Sequence, residues 1–236
     1  MEANIARNDL SSPGRYKFSF ALFFFLVTVS LGAVAADSAN IAFSLNFPGS
    51  DPESYSISLD SNGHAKYASV ARISADSEDR ETYETEFQFS PGNRARIFEL
   101  AGQSHYFAGK IDSGNHKIAF TGVKKLTYRD GSRTNTAEFN YSSLPPVQQA
   151  VAIFQNVAAT MEFGRRLAHY HRYQKLALDD ELKRMEAEAQ DNQLGELQAV
   201  EPTLREIFED SSVMNVVRAR AQRLIDLGKK EDLAGH

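Results

Sequence analysis

From Tyr55 the chain alternates: Tyr55, Ile57 and Leu59 fall on one side and Ser56, Ser58 and Asp60 on the other, the period of two that marks a half-buried strand. Asp60-Ser61-Asn62-Gly63 follows. Asn and Gly tolerate the positive φ of a tight hairpin, so residues 64–70 are predicted to run back as a second strand. After a polar, acidic loop over residues 74–80, Tyr83, Thr85, Phe87 and Phe89 alternate with Glu84, Glu86 and Gln88 as a third strand. It stops at Ser90-Pro91, an N-cap followed by a proline suited to the first helical position. The short helix expected there turns Ile97, Phe98, Leu100 and Ala101 inward and has Gly102 as its C-cap. Residues 117–128 and 133–141 flank Asp130-Gly131, a second hairpin signal, with Gly122 marking a bulge. The predicted order is β-β-β-α-β-β. Hairpin spacers this short cannot carry parallel crossovers, so the fold class is α+β, with a mainly antiparallel sheet covered on one face by helix.

At Leu144-Pro145-Pro146 the period changes from two to that of a helix. Val147, Val151, Phe154, Ala158 and Met161 form one apolar stripe, widened by Ala150 and Val157. Leu182, Met185 and Ala189 form a second after Asp179-Asp180. Val213, Val216, Val217, Leu224 and Ile225 form a third after Ser211-Ser212, ending at Gly228. Breaks are expected at 191–193 and at Pro202. Eight of the 16 Phe lie between Phe43 and Phe139 and three beyond Pro146, so the aromatic core belongs to the sheet. The expected division is an antiparallel sheet region over 36–145 and a long-helix region over 146–236, the latter packing on the sheet or on a partner.

The amino terminus follows a third pattern. Arg15 and Lys17 precede an uncharged stretch over residues 18–36, which ends in Gly32-Ala33-Val34-Ala35-Ala36. Ala33 and Ala35 fit the small-residue positions of a signal-peptidase site, so 1–35 reads as a secretory signal peptide and the body as periplasmic or secreted. The competing reading is an uncleaved inner-membrane anchor over 18–36, whose length approaches that of a spanning helix. Any membrane contact is expected through this segment alone.

Composition narrows the chemistry. The formal charge is -5, the wrong sign for a nucleic-acid binder, so no nucleic acid is expected as partner. With no Cys there is no thiolate catalysis, Cys zinc site, iron–sulfur cluster or disulfide. Nucleophile-elbow, metalloprotease, phosphate-loop, dinucleotide and EF-hand patterns are missing from the sequence. No cofactor, metal site or catalytic residue is assigned. His169 and His171 stand two apart, a spacing that diverges on a helix rather than converging on a metal. The acidic residues Asp76, Glu78, Asp79, Glu81, Glu84 and Glu86 lack the spacing of a calcium loop and read as a solvated face.

The stretch from Met161 to Lys175 offers the one candidate binding site. Arg165, His169 and Arg172 stand at i, i+4 and i+7, a basic stripe with Tyr173 and Tyr170 beside it. Guanidinium groups clamp carboxylates and phosphates, and Arg with Tyr is enriched at protein interfaces. The stronger reading of the same residues is structural, a bridge from helix to sheet edge with Glu162 pairing with Arg165 or Arg166 along the helix. A second basic group, Lys124, Lys125, Arg129 and Arg133, reads as edge-strand protection around the second hairpin.

Residues 55–59, Ile118-Ala119-Phe120-Thr121-Gly122, Phe139-Asn140-Tyr141-Ser142 and Glu162-Phe163-Gly164-Arg165-Arg166-Leu167 together resemble an uncharacterised group of exported bacterial proteins. The resemblance implies an address and a shared architecture over most of the chain beyond the signal, and it transfers no functional residue. The function expected is therefore a non-catalytic binding or interaction protein of the bacterial cell envelope, with an envelope protein or an anionic polymer as partner. The alternative is a cofactor-independent envelope hydrolase assembled from hairpin loops and the long helix. That alternative requires a pocket with a nucleophile or carboxylate within hydrogen-bond reach of a base.

Overall fold

The computed structural model describes residues 38–73, 77–115 and 117–234. The segment 1–35, read above as an export signal or anchor, lies outside them, as do Asp76, His116 and His236. Among the described residues no helix is long and apolar enough to cross a membrane.

The described residues form six strands: β1 (Asn40–Asn46), β2 (Ser54–Asp60), β3 (His64–Arg72), β4 (Arg80–Gln88), β5 (Val123–Asp130) and β6 (Arg133–Phe139). They form a single sheet in the order β4-β3-β2-β1-β5-β6, with every neighbouring pair antiparallel. The α+β class and the antiparallel sheet follow the sequence pattern, with one strand more than expected. That strand is β1, which carries the same period of two, Ile41, Phe43 and Leu45 against Ala42 and Ser44, and takes the centre of the sheet. Because β5 joins the free side of β1, the second hairpin completes the sheet without a parallel crossover.

The turns follow their residues. Asp60 Oδ1 accepts from the backbone N–H of Asn62 and of His64 at 2.8 and 3.0 Å, and Gly63 takes φ +96°. Asp130 Oδ1 does the same for Ser132 and Arg133. Gly122, expected at a bulge, instead ends the loop before β5 at φ +94°, where a Cβ would lie 2.8 Å from the side chains of Leu45 and Phe47.

One face of the sheet is apolar, with Ile41, Phe43, Ile57, Leu59, Tyr67 and Leu126 essentially solvent-free. The other carries Ser56, Lys66, Glu84 and Glu86, and Lys66 pairs with Glu84 at 2.6 Å. Helix α1 (Pro91–Gln103) starts where Ser90 Oγ accepts from the N–H of Asn93. It runs past Gly102 and closes at Ser104, whose N–H and Oγ both donate to the Leu100 carbonyl, so a serine does the work expected of the glycine.

Helix α2 (Pro145–Tyr173) lies across the apolar face. Its Phe154 stacks on Phe43 of β1 at 5.3 Å, and its Glu162 and Arg165 reach β3 and β4. Behind it stand α3 (Leu178–Gln190), α4 (Glu201–Glu209) and α5 (Asn215–Ala234). Sheet and helices share a continuous core from Ile41 to Ile225. Pro202 falls in the first turn of α4, and Asn192 takes φ +55° at the break after α3. Gly228 does not end α5 as expected. It sits inside the helix because a Cβ there would come within 3.1 Å of Leu197.

Candidate functional site

The stripe predicted on α2 divides where the helix leaves the sheet. Glu162 and Arg165, one turn apart, face the sheet and are both buried, with Arg165 Nε donating to Glu162 Oε2 at 2.9 Å. Glu162 Oε1 accepts from Tyr67 Oη at 2.8 Å and from Ser69 Oγ at 2.6 Å. Arg165 Nη1 reaches Glu81 at 3.1 Å and the Ile73 carbonyl at 3.4 Å, and Nη2 has no partner among the described residues. Burial works against the Arg165 charge, but Glu162 and Glu81 outweigh it and hold the guanidinium above its ordinary pKa. Burial, and then the neighbouring Glu162 charge, push the Tyr67 phenol far up. Arg165 therefore does not join an exposed basic stripe, and this part of the expected site is corrected. The physical reason is that a buried guanidinium needs its carboxylates more than it can serve a ligand.

The other three candidates do come together. His169 is half-buried, Arg172 and Tyr173 are exposed, and the His169 and Tyr173 rings lie 5.1 Å apart. The Arg172 guanidinium lies 5.9 Å from the Tyr173 ring centre. Tyr173 is 67% exposed and Leu176, in the turn that follows, 85%. His171 faces away and meets Asp210 at 2.9 Å; Lys175 and Ser212 also bind that carboxylate and, with Lys175 foremost, hold it well below the usual range. Among the described residues no cluster of three His, Asp or Glu is placed to hold a metal.

Among the described residues, a cavity opens on each of two sides of α2. One, of about 440 Å³, opens between the Asp51–Arg72 corner of the sheet and Arg166 and Arg184 of the helices, with Phe163 beneath the two guanidiniums. Its arginines are matched: Arg166 and Arg184 share Glu181 at 2.7 and 2.6 Å, and Arg72 lies 3.5 Å from Asp51. Glu162 lines it and accepts from Ser69 Oγ, one of several serine–carboxylate contacts among the described residues, with Ser90–Glu196, Ser132–Asp130 and Ser212–Asp210. Both oxygens of Glu162 are already committed to donors, from Tyr67 and Ser69 on one side and Arg165 on the other.

The second cavity, of about 500 Å³, lies over β5 and β6 and the first turns of α2. Lys124, expected as edge protection, is buried on its wall. The edge is formed by β6, and Lys124 shares the inward face of β5 with Leu126 and Tyr128, while Lys125 and Arg129 point outward. Period two in Lys124, Leu126 and Tyr128 was the signal that could have shown this. Comparison with known protein families and with curated proteins finds no match to this sequence.

Proposed function

We propose that the protein is a non-catalytic binding protein of the bacterial cell envelope, exported by its amino-terminal segment, that engages an envelope protein through the carboxy-terminal end of α2. The observation that carries this reading is the exposure of Tyr173 and Leu176, 67% and 85%, at the end of a helix otherwise anchored in the core. Aromatic and arginine side chains on a rigid support are the residues that dominate binding energy at interfaces. Arg172, beside Tyr173, calls for a partner surface that offers a carboxylate next to an apolar patch. The Arg15, Lys17 and Ala33-Val34-Ala35 pattern supports the export step. The commitment of both Glu162 oxygens weighs against the hydrolase alternative.

The test is crosslinking of the tagged protein in native cells, with mass spectrometry of captured partners and of the amino terminus. The expected result is a chain beginning at Ala36 and an envelope protein whose capture is lost in the Arg172→Ala, Tyr173→Ala variant. Capture of an anionic polymer instead of a protein, or capture unchanged by the substitutions, refutes the protein-binding surface. A terminus at Met1 refutes cleavage and leaves the anchor.

A further inference from the structure

Among the described residues, a buried charge either pairs with an opposite charge or, for Glu196, rests on a helix amino terminus, with one exception. Glu162 and Arg165 pair with each other, Glu181 pairs with Arg166 and Arg184, and Glu196 sits on the amino terminus of α1, accepting from Ser90 N, Ser90 Oγ and Asn93 Nδ2 at 2.8 Å each. Lys124 is the exception. It is 7% exposed, and among the described residues no carboxylate pairs with it. Its Nζ donates to Thr121 Oγ1 at 2.9 Å, the Asn140 carbonyl at 3.0 Å and the Thr121 carbonyl at 3.3 Å. These acceptors carry no charge, so the cation is hydrogen-bonded and uncompensated, and the long contact to the Thr121 carbonyl is the one a ligand carboxylate would replace. Leaving a cation in such a place is costly, and a protein that needed only an anchor for the 119–122 loop could use a neutral donor.

The cavity that Lys124 lines explains the cost. Phe139, Val147 and Val151 supply apolar walls, Gln148 and Gln155 supply amides, and no lining residue is acidic. Gln148 is held in place by donating to Tyr141 Oη at 2.7 Å and to the Ser142 carbonyl at 2.8 Å. An apolar cavity with a few fixed polar groups is the usual form of a small-molecule site, and a single positive point charge within it selects an anion. We propose that this cavity binds a small carboxylate with an apolar body, the carboxylate seated at Lys124 Nζ and the body against Phe139, Val147 and Val151. A phosphate would find one cation and no guanidinium fork, and its three charged oxygens would meet an apolar wall. Burial alone lowers the Lys124 pKa, with no neighbouring charge acting on it, as expected of a site whose counter-ion arrives with the ligand. The site is separate from the surface proposed above, since the two lie at opposite ends of a helix about 44 Å long.

Calorimetric titration of the full chain with octanoate, octanamide and inorganic phosphate tests the assignment. Octanoate should bind one site, phosphate should not compete, and Lys124→Met should weaken octanoate by about tenfold or more, the scale of one charge-assisted hydrogen bond. Lys124→Arg should retain most of the affinity, and octanamide should bind the wild type and Lys124→Met alike. Val151→Trp leaves Lys124 in place and fills the cavity; it should abolish octanoate binding while its melting curve remains cooperative. The proposal is overturned if octanoate does not bind at millimolar concentration, if phosphate binds as well, or if either Lys124→Met or Val151→Trp binds octanoate like the wild type.

Discussion

At the scale of single residues, the informative side chains are the buried charges. Glu162→Gln removes the charge that faces Arg165 and leaves the guanidinium with the half-exposed Glu81 alone, a change expected to cost about 3 kcal/mol. Replacing both, with Glu162→Gln and Arg165→Met, should cost less than Glu162→Gln alone; urea unfolding of the two variants checks the order. Lys124 has a pH signature with a definite sign. Its pKa is lowered in the fold, so the folded state bears the full desolvation cost at neutral pH, where the lysine is charged in both states. As pH rises through the lowered pKa toward the unfolded value, the folded chain loses its proton first and the cost is relieved. The stability of the wild type relative to Lys124→Met should therefore move in favour of the wild type between pH 7 and pH 10, and a difference independent of pH would contradict it. The position of Lys124 was legible in the alternation with Leu126 and Tyr128, whereas the burial of Arg165 was not: a stripe at i, i+4 and i+7 shows which residues share a helix face but not where a sheet ends beneath it.

At the scale of elements, α2 is read well from its apolar stripe, but its close neighbours are not. Gly164 sits where α2 meets the 3-10 turn before α4, and a Cβ there would come within 2.5 Å of Val200 Cγ1. Gly164→Ala should destabilise by about 1–3 kcal/mol through overpacking, even though alanine is the better helix former. Val200→Ala in the same chain should recover part of that loss, which thermal melts of the single and double variants would show. Gly228 makes the same point inside α5, where proximity to Leu197 explains a glycine that sequence patterns read as a helix end.

At the scale of the whole molecule, β1 holds the two halves of the sheet together, paired with β2 on one side and β5 on the other. A chain beginning at Phe47 should lack cooperative unfolding, while one beginning at Ala36 should keep it; circular dichroism melts distinguish the two. A folded truncation would mean that the hairpins and α2 suffice without the central strand. The Arg172→Ala, Tyr173→Ala variant should melt like the wild type, because both side chains are exposed, so its effect on partner capture reads the surface rather than the fold.

Local periodicity and turn chemistry determined the α+β class, the hairpins at Asp60–Gly63 and Asp130–Gly131, the start of α1 at Ser90 and the breaks in the helical region, since each depends on residues within a few positions of one another. The central place of β1, the path of α2 over the sheet, the ion pair that withdraws Arg165 and the cavity that isolates Lys124 were decided only by tertiary structure. The contacts that fix them reach across the chain, as Arg165 does to Glu81, Glu162 to Tyr67 and Glu196 to Ser90, and whether a charged side chain meets water or a counter-ion depends on which distant element covers it.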